Sequence, residues 1–248
     1  MRFIRTTALA LLLAVTSLAL AQAMEDSAGT ASITLENTST MAISPPVVIV
    51  HEAGYAPFAV GAASPAELVP LAEDGDASEL AVVARVAEGV HAVVVADGPV
   101  PPGASVTLEV PVGADTAYLT VVSMLVTTND AFVHVTIDLR EATMMADDMS
   151  GGGMSDDGMG MADDAMTMTG HAPPADGLVR VYDAGSERDT EACEHIPGPP
   201  CGNAGVRVTD GSEGHVALDG GIVGVGDLDP AEWDWRNPVL GIQVALTN

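Results

Sequence analysis

From Ser32 onward, apolar and polar positions alternate with a period of two. Ile33 and Leu35 lie between polar neighbours, and Ala131, Val133, Val135, Ile137 and Leu139 interleave with Phe132, His134, Thr136 and Asp138. Successive side chains of a strand point to opposite faces, so this pattern predicts half-buried strands with one face on a core and the other wet. Val47 to Val50, Val90 to Ala96, Val106 to Val110 and Ala117 to Val126 are short apolar runs rich in β-branched residues. Pro and Gly turns separate them at Gly98-Pro99, Pro102-Gly103 and Pro111-Val112-Gly113, which marks the runs as strands. Leu178 to Tyr182, Val206 to Val208, His215 to Leu218 and Leu240 to Leu246 continue the series. The fold expected is all-β, an antiparallel β-sandwich of about eight or nine strands.

Two short helices interrupt the strands. Ser64-Pro65-Ala66-Glu67 has the form of a capping box with Pro at the first helical position, and Pro70 should end that helix after a turn or two. Asp229-Pro230-Ala231-Glu232 repeats the arrangement ahead of Trp233 and Trp235, two indoles suited to closing one end of a core. Met144 to Gly170 breaks the pattern. It carries eight Met with Gly, Ser and paired Asp, and no aromatic or β-branched aliphatic residue. Ordering such a segment would bury too little apolar surface to offset the entropy lost. Residues 144–175 are therefore expected to be a disordered, low-complexity, Met-rich insertion within a sandwich spanning 32–248, with a flexible segment at 24–31 before it.

Residues 1–23 read as a secretory signal peptide. Arg2 and Arg5 form its basic start, Ala8 to Leu20 its apolar run, and Ala21-Gln22-Ala23 its cleavage site. The apolar run falls short of the ~20 residues that cross a bilayer, so the expectation is export to the periplasm, cell surface or extracellular space, with no membrane insertion after cleavage. The remaining chain holds six Arg, no Lys and 35 Asp and Glu, a net charge of −29. Such a surface repels nucleic acid and anionic membranes and concentrates cations.

That attraction becomes specific where acids adjoin the ends of expected strands. Asp130 follows Thr128-Asn129, and Asp183 and Glu187 flank Ala184-Gly185-Ser186, so all three stand where rigid strands meet loops. Three carboxylates meeting there without a Lys or Arg would repel one another, and a hard divalent cation relieves that repulsion. Ca2+ suits the task because it accepts ~6 to 8 oxygen ligands in loose geometry. Gly185 would let the backbone turn so that Asp183 and Glu187 face the same way. Spacing alone favours a plainer reading, in which the three are solvated acids on an acidic surface.

Both segments also resemble a known domain. Tyr182-Asp183-Ala184-Gly185-Ser186-Glu187 is similar to the Trp-Asp-Ala-Gly-Thr-Asp signature of the spondin N-terminal domain, and Asn129-Asp130-Ala131-Phe132-Val133 is similar to its Pro-Asp-Trp-Phe-Val segment. Ser44-Pro45-Pro46, Gly61-Ala62-Ala63-Ser64, the run from Leu71 to Asp76, and Trp235-Arg236-Asn237-Pro238 resemble the bacterial branch of that family. The resemblance implies an antiparallel β-sandwich carrying a calcium ion with Asp130, Asp183 and Glu187 as ligands. Glu187 stands where the animal pattern has Asp, and Ala131 where it has Trp.

Cys193 and Cys201 are the only cysteines. Export to an oxidising compartment makes a disulfide the expectation, pinning the segment just after Glu187. Structural zinc needs four ligands at recognised spacings, and these are absent. Asp183-x-Gly185-x-Glu187-x-Asp189 has the look of an EF-hand ladder, but Arg188 occupies the position where the sharp turn demands Gly. Glu73-Asp74-Gly75-Asp76 reads as a solvated acidic turn, and His134 and His215 as surface or packing residues. No nucleophile elbow, zinc-protease helix or phosphate loop occurs. The functional expectation is a calcium-binding module, not an enzyme, for binding or adhesion to an extracellular protein, glycan or matrix component. The alternative is a periplasmic Cu(I)-binding protein using the thioethers of Met159, Met161, Met166 and Met168 with His171.

Overall fold

The computed structural model describes residues 29–113, 116–140, 172–235 and 239–247. Among them, nine strands form two antiparallel sheets. In the smaller sheet β1 (Gly29–Asn37) pairs with β4 (Ser105–Val112) on one side and β9 (Leu240–Thr247) on the other. The larger sheet runs β3 (Val90–Val95), β2 (Val47–His51), β5 (Tyr118–Met124), β6 (Ala131–Asp138), β7 (Arg180–Asp183), β8 (Ala217–Leu218). The period-two pattern explains β1 directly, since Ala31, Ile33 and Leu35 are buried while Glu36 is exposed. These residues meet Val48, Val50, Val121 and Val133 of the larger sheet in a core of aliphatic side chains between the two sheets.

The larger sheet is buried on its other face as well. Helix α1 (Val69–Asp74) and helix α2 (Ser78–Val86) supply Leu71, Ala72, Leu80 and Ala84, which pack with Leu68 and Phe58 on Ile49, Val122, Phe132 and Tyr182. The wet face expected for the strand at 131–139 is therefore absent, and all residues of β6 from Ala131 to Thr136 are buried. His134 lies under the ring of Phe58 at 5.0 Å, edge to face.

Burial of this face encloses a chain of polar side chains. His51 Nδ1 is 2.7 Å from the Glu52 carbonyl, which only accepts, so that nitrogen carries the proton. Nε2 of the neutral ring then accepts from the Thr120 hydroxyl at 2.8 Å, Thr120 accepts from Thr136 at 2.7 Å, and Thr136 accepts from His134 Nε2 at 3.3 Å. Every link has one donor and one acceptor. Burial holds both rings neutral, lowering His51 and pushing His134 down to about 3.

Several boundaries differ from the sequence expectation. The strand β1 begins at Gly29, so residues 29–31 belong to the sandwich and not to a flexible lead. Pro70 begins α1 instead of ending a helix, because the first turn has no use for the N–H that Pro lacks. The Ser64 hydroxyl donates to the Ala184 carbonyl at 2.7 Å and caps nothing. Helix α2 was not anticipated, and Val206 to Val208 forms no strand. Helix α3 (Pro230–Trp233) is capped as expected, with Asp229 Oδ1 accepting from the Ala231 amide at 2.9 Å. Trp235 is buried against the inter-sheet core and Trp233 packs beside it, which gives the pair its closing role. The signal-peptide reading and the Met-rich segment from Met144 to His171 lie outside the described residues. No helix among the described residues is long and apolar enough to cross a membrane.

Candidate metal centre

Strand pairing alone brings two of the three expected acids together. Ala131 at the start of β6 lies opposite Asp183 at the end of β7, so Asp130 and Asp183 share one edge of the larger sheet. The turn before Asp130 is fixed by Thr128, whose hydroxyl donates to the Leu125 carbonyl at 2.7 Å and accepts from the Ala131 amide at 3.0 Å. After β7 the chain turns sharply at Gly185, where φ is +66° and a Cβ would strike the backbone of His215. The turn aims the amides of Ser186 and Glu187 at Asp130 Oδ2, at 2.7 and 2.9 Å, and the Ser186 hydroxyl adds a third bond at 3.0 Å. Asp183 Oδ1 accepts from the Gly185 amide at 2.5 Å.

Asp130 is fully buried, and its Oδ1 has no hydrogen-bond partner. The Asp183 carboxyl is close enough to bond with Asp130 while one of the two holds a proton, but once both are ionised they have none to share and only repel. Asp189 completes the group. Carboxylate oxygens of Asp130, Asp183 and Asp189 all lie within 4.8 Å of one another. Ligands on opposite sides of a calcium ion, at about 2.3 to 2.6 Å from it, stand roughly 5 Å apart, so one ion reaches all three. The donors are oxygen only, the chemistry of a hard cation, and the buried orphan Oδ1 gives such an ion a reason to bind.

Glu187 is not the third member, contrary to the sequence expectation. It gives its amide to Asp130, while its carboxylate meets Arg207: Oε1 is 3.2 Å from Arg207 Nε, an ion pair without a hydrogen bond, and Oε2 is 3.4 Å from the Val208 amide. Arg207 also pairs with Glu73 and Asp74; in the turn expected to be solvated, Asp74 and Asp76 are exposed, whereas Glu73 is buried and anchors α1. Sequence reasoning set Asp189 aside with the rejected EF-hand ladder. Its place two residues beyond Glu187 in the same acidic run was the available signal.

The charges around the three aspartates are unbalanced. Burial raises Asp130, against the pull of its three donors. Burial also pushes Asp183 up to about 9, with the charges of Asp130, Asp189 and Glu213 adding to it. For Asp189 burial and the neighbouring Asp219, Asp130, Glu213 and Glu191 push the carboxyl up to about 8; the residue is exposed overall, so water screens part of that repulsion. Glu187 is raised to about 7, burial outweighing the opposing pull of Arg207.

Two devices hold the loops in this unfavourable arrangement. Cys193 and Cys201 form the expected disulfide, and its loop docks on the β5–β6 turn through the Thr127 hydroxyl, which donates to the Pro199 carbonyl at 2.7 Å. The Asn129 side chain accepts from the amides of Thr190 and Glu191 at 3.1 and 3.2 Å, tying the turn to the segment after Asp189. Beyond Asp189 the cluster opens into a cleft of about 300 Å³ whose wall includes Asp219 and Trp235. No protein-family model matches the chain, and no curated protein matches it significantly.

Proposed function

We propose that the chain is an exported β-sandwich of the spondin N-terminal kind that binds one calcium ion between Asp130, Asp183 and Asp189. The ion fastens the β5–β6 turn to the segment from Asp183 to Glu191, and the loops so fixed bind an extracellular partner. In this reading the protein is a binding or adhesion module, not an enzyme. One observation carries it: a fully buried carboxylate, Asp130, keeps one oxygen unpartnered while facing a second carboxylate. Leaving such a charge buried is costly, and a bound cation removes the cost. Further support comes from the two acidic segments that resemble the family signature, and from the disulfide, which suits an oxidising compartment.

Calorimetric titration of the chelator-treated chain with calcium tests the reading. The expected result is one ion per chain and a rise in Tm that follows ligand mass action. Asp130→Asn and Asp183→Asn should lose both, while Glu187→Gln keeps both. A melting temperature indifferent to calcium in the unsubstituted chain sinks the proposal.

A further inference from the structure

We infer that the cleft beside the carboxylate cluster receives a basic side chain, arginine or lysine, from an extracellular partner protein. This rests on the binding-module reading above and names the chemistry of its partner. Among the described residues the cleft is lined by the acids Asp189, Glu191 and Asp219 and by no Arg, Lys or His. It continues directly from the metal cluster through Asp189, and the charge of the fully buried, half-unpartnered Asp130 acts on both Asp189 and Asp219. A single divalent ion neutralises two of the four carboxylates Asp130, Asp183, Asp189 and Asp219, so the cleft still attracts positive charge when the metal is bound. Among the described residues Asp219 spends only Oδ1 on the backbone, accepting from the Gly221 amide at 2.7 Å, and so keeps acceptor capacity for a ligand.

The remaining walls select an organic cation over a second metal ion. Ile222, Val223, Val225 and Trp235 give the cleft an apolar side, which suits the methylene stem of a long basic residue. A volume of about 300 Å³ is the lower end of the ~300 to 1,000 Å³ typical of ligand pockets and far more than one bare ion fills. The apolar side is also held in place. Glu191 is buried, and its carboxylate accepts from the amides of Val223, Gly224 and Val225 at 2.7, 2.7 and 2.9 Å. Val223 and Val225 remain 65% and 69% exposed, so the loop is rigid yet uncovered, the condition for an anchor pocket in a protein interface.

The test titrates the full chain in saturating calcium with N-acetyl-arginine methylamide and with its uncharged isostere N-acetyl-citrulline methylamide, following Trp fluorescence and heat. The arginine probe should bind at least about tenfold more tightly than the citrulline probe, the difference expected of charge-assisted bonds. Asp219→Asn should weaken the arginine probe about tenfold and leave the calcium-induced rise in Tm intact, whereas failure of the calcium reading would appear in that rise alone. Val225→Lys, a substitution at an exposed position, should place a cation at the mouth and block the probe. Equal binding of the two probes, binding of neither with or without calcium, or a second calcium ion displaced by Asp219→Asn would each overturn the inference.

Discussion

Two polar groups lie in the larger sheet, one toward each end, the first buried throughout and the second buried at Asp130 and Asp183 but exposed at Asp189, and they are built on opposite principles. At the end where β2 finishes and β5 begins, the chain from His51 through Thr120 and Thr136 to His134 pairs every donor with one acceptor. At the other end the ionised carboxylates of Asp130, Asp183 and Asp189 are acceptors only, and Asp130 Oδ1 has no hydrogen-bond partner. The first group is complete within the polypeptide, and its cost of burial is offset by its own bonds. The second is complete only with a cation from outside. A buried group whose links each pair a donor with an acceptor reads as architecture, and converging like charges with an unpartnered oxygen read as a candidate site; Glu187 Oε1 and Arg207 Nη1 also lack hydrogen-bond partners, but they belong to an ion pair of opposite charges.

Substitutions at the two ends should differ in whether calcium matters. Thr120→Val removes the central hydroxyl of the histidine chain and orphans a partner on each side, His51 Nε2 and the Thr136 hydroxyl. At ~1 to 3 kcal/mol for each orphan, the loss measured by denaturant unfolding should be several kcal/mol and the same with or without calcium. Replacing Cys193 and Cys201 by Ser should cost about 2 to 3 kcal/mol for so short a loop. Part of that loss should be recovered on adding calcium, because the metal ties the same loops together. Glu187→Gln should cost only about 1 kcal/mol, since Arg207 keeps Glu73 and Asp74, and its calcium affinity should match that of the unsubstituted chain. A Glu187→Gln protein that no longer binds calcium would return this residue to the ligand set and break the distinction between the two ends.

The strands were legible because Ile33, Leu35, Val133 and Val135 obey a simple alternation and Gly or Pro marks the turns. The burial of the second sheet face was not. Nothing in the alternation of Phe132, His134 and Thr136 says whether water or helices cover them, and α2 hid because its sequence, with Val82, Val83 and Val86 exposed, has no strong helical stripe. For the metal centre, position at strand ends located Asp130 and Asp183, which the register of β6 and β7 then joined. Glu187 misled because Arg207, twenty residues on, captures the carboxylate. That contact is not local, so spacing could not choose between Glu187 and Asp189.

The most direct test is the pH dependence of Tm between pH 7 and 9, with and without calcium. His134 lies far below its unfolded value of 6.5, so its linkage acts only below that pH and leaves this window flat. Asp183 and Asp189 lie at about 9 and about 8, above the unfolded value of 3.8. The metal-free folded state therefore holds protons that the unfolded state has released, and stability is lost as pH rises through those values. The melting temperature of the metal-free protein should fall from pH 7 to 9, and saturating calcium, which binds the ionised carboxylates, should remove most of the fall, leaving only the small part near pH 7 that comes from Glu187, at about 7 and outside the site. A slope identical in the presence and absence of calcium would contradict the claim that this cluster is completed by a metal ion.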